Sequence, residues 1–220
     1  TDFVTMRRVI AEGVIGDVFH IDTFVGGYSK PCSYWHSDAA VSGGAIFDWG
    51  SHFLDQILAL VPDDVAHVSA QNHKRHWMHA TNADHAQVTL TFTSGRQATF
   101  THSDLAGARR PKYYVLGTLG AIVGDWNPVA EPAVADLPAV VSLHVGGESS
   151  RLLPLDDVEQ FAFHRSLVAH LADGTPMEVR AVQSRDVVAV MEAAEESARN
   201  NAMPVEPDLR GRPSSHSVSS

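Results

Sequence analysis

Apolar residues recur along the chain with two periods, near 3.6 and near 2, and the switches between them divide it into elements. Asp2 can cap a helix running to about Gly13, with Val4, Val9, Ile10 and Val14 forming an approximate helical stripe. Gly13 and Gly16 end it, because glycine tolerates the left-handed backbone of helix termini. Residues 17–25 alternate and are β-branched or aromatic, which predicts a strand. A polar and aromatic loop over 26–42 is too long for a mere connector. The run 43–61 reads as one buried helix stopped by Pro62. Strands fit 65–72, 83–93 and 96–103, the last two joined by a hairpin at Ser94-Gly95. Two short strands, 113–116 and 120–125, flank a glycine turn, and another fits 140–145. Residues 156–172 are amphipathic and end at Asp173-Gly174-Thr175-Pro176, and 182–200 carries the strongest helical pattern.

Strands crowd the middle while helices sit at both ends, and no internal repeat is present. This order predicts an α+β domain: a largely antiparallel open sheet with helices packed on one face. The uncovered face would need burial, and a second copy of the chain is the simplest cover, so a homo-oligomer through the sheet face is expected. The domain is expected to span 1–206. From Pro207 the Arg, Ser and Gly content reads as a disordered tail over 207–220.

Composition narrows the functional classes. A net charge of -10 argues against nucleic acid or an anionic membrane as partner, since both demand clustered Lys and Arg. No apolar run approaches the ~20 residues of a membrane span, and the start lacks the basic-then-apolar pattern of a secretory signal. The single cysteine, Cys32, excludes an intramolecular disulfide and suits a reducing cytoplasm. A chain that begins at Thr1 is expected to be part of a longer polypeptide.

The richest segment is Ser42-Gly-Gly-Ala-Ile-Phe-Asp-Trp-Gly-Ser-His-Phe-Leu-Asp55. In an unbroken helix Asp48 and His52 lie one turn apart on one face, and Asp55 continues that face. Polar groups inside a run as apolar as Ile46, Phe47, Phe53, Leu54, Ile57 and Leu58 need partners or a task. An Asp beside a His is a ready means of moving a proton, although Asp-x3-His taken alone is more often a capping Asp and a satisfied core His.

The whole segment resembles the C-terminal-domain signature of the glucose–fructose oxidoreductase / inositol dehydrogenase / rhizopine-catabolism (Gfo/Idh/MocA) family, Gly-Gly-x3-Asp-x-Gly-x-His-x2-Asp. Flanking segments agree in order: Arg8 to Gly16 resembles the entry to that domain, Thr91-Phe-Thr-Ser-Gly95 its central hairpin, Tyr114 to Gly120 its Gly-Thr-x-Gly turn, and Ala189 to Ala198 its closing helix. The resemblance covers roughly residues 3–206. It implies the dihydrodipicolinate-reductase-like fold of such C-terminal domains and an NAD(P)-dependent oxidoreductase acting on sugars, cyclitols or related polyols. It also implies a separate N-terminal Rossmann domain that holds NAD or NADP and supplies a catalytic lysine. This chain shows neither: its sixteen glycines include no Gly-x-Gly pair. By the same resemblance His52 is the acid/base and Asp48 its orienting or substrate-binding partner, while Asp55 is structural.

In the family a Trp-Arg-x-Asp often borders the active site. The corresponding loop here, with Tyr28, Trp35 and His36 as pocket candidates, has His36 in the arginine position, and imidazole cannot make the bidentate contacts of a guanidinium. His73, His76, His79 and His85 match neither a zinc-binding helix pair nor alternate positions on one strand face, so no metal site is expected there. Three functions remain from the sequence: the substrate half of a dehydrogenase, a non-enzymatic sugar-binding or dimerisation module of the same fold, and a metal-dependent hydrolase or lyase using the His-rich stretch. The first is preferred.

Overall fold

In the computed structural model, residues 1–126 and 138–209 are described. Eight strands form one sheet: β1 (Val18–Gly26), β2 (Val65–His73), β3 (His85–Phe92), β4 (Gln97–Ser103), β5 (Tyr113–Gly117), β6 (Gly120–Asp125), β7 (Val140–Val145) and β8 (Arg151–Leu152). Their spatial order is β2-β3-β4-β1-β5-β6-β7-β8. Every neighbouring pair is antiparallel except β1 with β4, which run parallel. The Ser94-Gly95 turn joins β3 to β4, with Gly95 at φ 85, where a side chain would be strained.

Register explains why one face is dry. Val68, Leu90, Ala98, Ile21, Val115, Ile122 and Leu143 align across seven strands, and every one is buried. The adjacent row on the opposite face reads Ser69, Thr89, Thr99, Asp22, Tyr114, Val123 and Ser142, five of them polar. Strand alternation therefore sends hydrocarbon to one side and mostly hydroxyl and carboxyl groups to the other.

The dry face is covered by α1 (Asp2–Ala11), α4 (Gly50–Leu60) and α6 (Ala181–Arg199), which bury Met6, Val9, Leu54, Ile57, Val187 and Val190 against it. A further helix, α5 (Ala162–Asp173), buries none of its residues. The expected tail is anchored at its start: Pro207 is buried and Arg185 Nη2 lies 2.7 Å from Asp208 Oδ2. The remainder of that expectation, from residue 210, lies outside the described residues.

The run 43–61 is helical but not one helix. It comprises α3 (Ala45–Asp48) and α4, and a further short helix, α2 (Ala39–Ser42), precedes it in the loop. Gly43 and Gly44, at φ 82 and 95, separate α2 from α3. At Trp49 the helical ladder shifts. The Ser51 hydroxyl donates to the Asp48 carbonyl at 2.9 Å, and the His52 N–H donates three residues back, to the Trp49 carbonyl at 3.2 Å. A three-residue turn winds more tightly than an α-helical one. Gly50 permits this at the core, since a Cβ there would stand 3.3 Å from Phe100 and 3.4 Å from Leu54. Pro62 ends α4 as expected, with Val61 driven to an extended conformation.

Candidate active site

Because β1 and β4 are parallel, their C-terminal ends emerge side by side, and α3 and the start of α4 lie over that edge of the sheet. Between them is a cavity of about 380 Å³ whose polar wall carries His36, Asp48, His52, Asn82, His102 and Asp104. That volume falls in the range of small-molecule sites.

Asp48, the last residue of α3, faces the cavity with its carboxylate, Oδ1 lying 3.5 Å from His36 Nδ1. The shifted turn at Trp49 carries His52 away from a direct bond with Asp48: among the described residues none joins the two, although both line the same space. The one-turn pairing expected from an uninterrupted helix is thus replaced by a wall on which Asp48 pairs with His36 and His52 stands nearby. Three residues beyond His52, Asp55 is half-buried. Burial raises its pKa and the neighbouring His52 ring partly offsets that. Asp55 lines a separate groove with Arg7 and Leu58, not the cavity.

His36 sits in a 3-10 turn, Trp35–Ser37, and is clamped between Trp35 at 3.9 Å and Tyr34 at 5.8 Å, centroid to centroid. The loop is fixed by the segment before β3: the Asn82 amide donates to the His36 carbonyl at 2.8 Å and the Thr81 N–H to the Ser37 carbonyl at 3.0 Å. Of the three loop residues singled out in the sequence, His36 reaches the cavity. Tyr28 and Trp35 do not; both are more than half exposed, and Tyr28 contacts His76 and Trp77 instead.

Three polar wall residues went unremarked in the sequence: Asn82, described above, and His102 and Asp104. His102 continues the core-facing row of β4 after Ala98 and Phe100, a polar side chain at an apolar position, and that alternation was the available signal. Burial drives its pKa down to about 4, so the ring is neutral at physiological pH. Asp104, two residues on, is pushed up to about 6 by burial and by the charges of Asp84 and Asp48, against the pull of Lys74. Behind them Asp84 is fully buried and saturated: it accepts from Lys74 Nζ at 2.6 Å and from the N–H groups of Arg75 and His76 at 2.6 Å and Trp77 at 3.3 Å. Its own carbonyl accepts the Asp104 N–H at 2.8 Å, and the Trp77 indole donates to the Asp104 carbonyl at 3.3 Å. A buried carboxylate thus fixes the backbone that presents Asp104.

Among the described residues there is no dinucleotide cradle. Such a cradle needs a strand, a Gly-x-Gly turn and a helix whose N-terminus faces the pyrophosphate. The single parallel strand pair is not linked by such a unit, and no Gly-x-Gly occurs anywhere in the sequence. No described helix is long and apolar enough to cross a membrane.

Fold and cavity together define an α+β domain with an acid–imidazole centre at one edge of its sheet. Residues 3–123 match the GFO/IDH/MocA C-terminal domain, and the chain belongs to that family. The scyllo-inositol 2-dehydrogenase (NADP(+)) IolW of Bacillus subtilis (strain 168) is 24% identical over 221 residues, covering 90% of this chain and 59% of its own. Among solved structures, an NAD-binding protein from Listeria innocua superimposes with a TM-score of 0.74 at 24% identity, over 98% of this chain and 62% of its own. An aldose-aldose oxidoreductase from Caulobacter crescentus complexed with glycerol gives 0.77 at 20% identity, over 93% and 60%. The chain therefore spans about three-fifths of the length of these relatives.

Proposed function

We propose that this chain is the substrate-binding half of an NAD(P)-dependent oxidoreductase that oxidises a secondary hydroxyl of a sugar, cyclitol or related polyol. The observation that carries the reading is the placing of His52, Asp48 and His36 on one cavity wall, within the segment that matches the family. A nicotinamide, which a nucleotide-binding domain outside these residues would hold, would supply the acceptor for the hydride. What falls to the residues here is the proton. As the C–H bond breaks, the hydroxyl on the same carbon must lose its proton, and the His52 imidazole on the cavity wall is the group placed to accept it. Asp48, already paired to His36, accepts a hydrogen bond from a substrate hydroxyl and favours the imidazolium that forms. Two such chains would associate through the open sheet face, which size-exclusion chromatography with light scattering would reveal as a doubled mass.

The test is His52→Ala in the full-length protein. Turnover of the best polyol is expected to fall by about 10²-fold or more, the scale of a positioned acid/base, with cofactor affinity unchanged. Normal turnover by the variant would leave His52 an exposed residue of the cavity wall with no part in the proton transfer.

A further inference from the structure

Carboxylates that hold a fold together are filled with donors, and this chain shows the contrast. Asp84 receives four, and Asp63, also buried, receives the Thr93 hydroxyl at 2.6 Å and the N–H groups of Asp64 and Ser94 at 2.9 and 3.0 Å. Asp104 is different. Its side chain is 20% exposed on the cavity wall, yet among the described residues no donor reaches its carboxylate within hydrogen-bond distance; the nearest recorded group, His102 Nε2, lies 3.6 Å from Oδ1. His102 is itself more than nine-tenths buried on that wall, and its Nδ1 has no partner. A buried ring nitrogen left without a partner costs stability, and beside it stands a half-buried carboxylate that no donor of the fold fills.

The charge around them is one-sided. No lysine or arginine lines the cavity among the described residues, and the nearby Lys74 is committed to Asp84 and to the Asn82 carbonyl at 2.8 Å. Two carboxylates and three imidazoles make a site that accepts hydroxyl protons readily and resists a second anion.

Building on the polyol reading above, we infer that Asp104, backed by His102, is a second substrate-recognition group: it accepts a hydroxyl on a carbon other than the one oxidised, and its charge selects uncharged polyols over sugar acids and sugar phosphates. The unfilled acceptor sites of Asp104 are then filled by the ligand, with the neutral His102 ring packed beside it, Nε2 3.6 Å from Oδ1. Discrimination of this kind is strong because a wrong ligand leaves a buried polar group unpaired.

The experiment compares the full-length wild type with Asp104→Asn and Asp104→Glu on a neutral polyol and on the corresponding sugar acid. Asp104→Asn is expected to raise KM for the polyol about 10-fold while kcat stays within about 3-fold, and to narrow the polyol-over-acid preference in kcat/KM by about 10-fold. Asp104→Glu, which keeps the charge, should keep the exclusion of the acid. Asp104 titrates near pH 6, so the wild-type KM should climb below that pH, as the carboxylate loses its acceptor character, by an increment missing in Asp104→Asn. Asp48, His36 and His52 in the cavity, His102 beside it and Lys74 and Asp84 behind it remain in both proteins, so the difference isolates Asp104. Unchanged KM and preference in an active protein would overturn this inference and leave the proposed function standing. A wild type inert to every polyol would overturn both. An Asp104→Asn protein with a lowered melting temperature would show that the carboxylate serves the fold, which also overturns it.

Discussion

Replacing Asp84 by Asn tests how the back wall of the cavity is held. Burial alone would raise the pKa of this carboxyl, but Lys74 and the amides of Arg75, His76 and Trp77 outweigh it and hold it down to about 2. An unfolded aspartate titrates near 3.9, so the folded environment favours the charged form by roughly 1.9 pH units, about 2.6 kcal/mol. The Asn amide also turns N–H donors toward a site already crowded with donors, at a further ~1–3 kcal/mol. A total near 4–6 kcal/mol is a large part of the 5–15 kcal/mol typical of a domain and corresponds to a melting temperature lower by about 10–20 °C. Because the folded pKa is depressed, the charge-dependent share is complete above about pH 5 and is lost as pH falls toward 2. At pH 3 it has shrunk to about 1.3 kcal/mol. Urea unfolding of both proteins at pH 7 and pH 3 should therefore show a gap that narrows by more than 1 kcal/mol on acidification. A gap below 1 kcal/mol at pH 7, or one equal at both pH values, would refute the idea that Asp84 anchors this wall through its charge.

Two other outcomes follow from the same coordinates. Ser197 is fully buried on α6 and its hydroxyl accepts the Ala70 N–H at 2.9 Å, so Ser197→Ala should orphan a backbone donor and cost about 1–3 kcal/mol by urea denaturation; a neutral effect would mean that the α6–β2 contact rests on packing alone. The described residues hold no dinucleotide cradle, so calorimetric titration of this chain with NAD(H) or NADP(H) should show no saturable binding, and micromolar affinity would place a nucleotide site in it.

What could be read in advance, and what could not, follows from how local each signal is. Ser94-Gly95 forces a turn whatever surrounds it, and alternation marks strands over 83–93 and 96–103, which the structure places at 85–92 and 97–103, one or two residues shorter at three of the four ends. The parallel pairing of β1 with β4 had no such marker, since it joins segments more than seventy residues apart, yet it sets the end of β4, whose His102 lines the cavity, beside the start of the loop that carries His36. The motif from Ser42 to Asp55 was legible as a buried helical segment but its geometry was not. Periodicity reports which residues are apolar; it is blind to a Ser51 hydroxyl taking the carbonyl that would have bonded to His52. That single exchange decides that Asp48 meets His36 in place of His52. It also bears on the departure at position 36, where the family often carries arginine. A guanidinium there could hold Asp48 through two parallel N–H contacts, whereas the imidazole presents it a single nitrogen, 3.5 Å away. The acid–imidazole chemistry of this cavity thus belongs to a group of residues drawn from a loop, a broken helix and a strand end, and a linear spacing rule could name its members only one at a time.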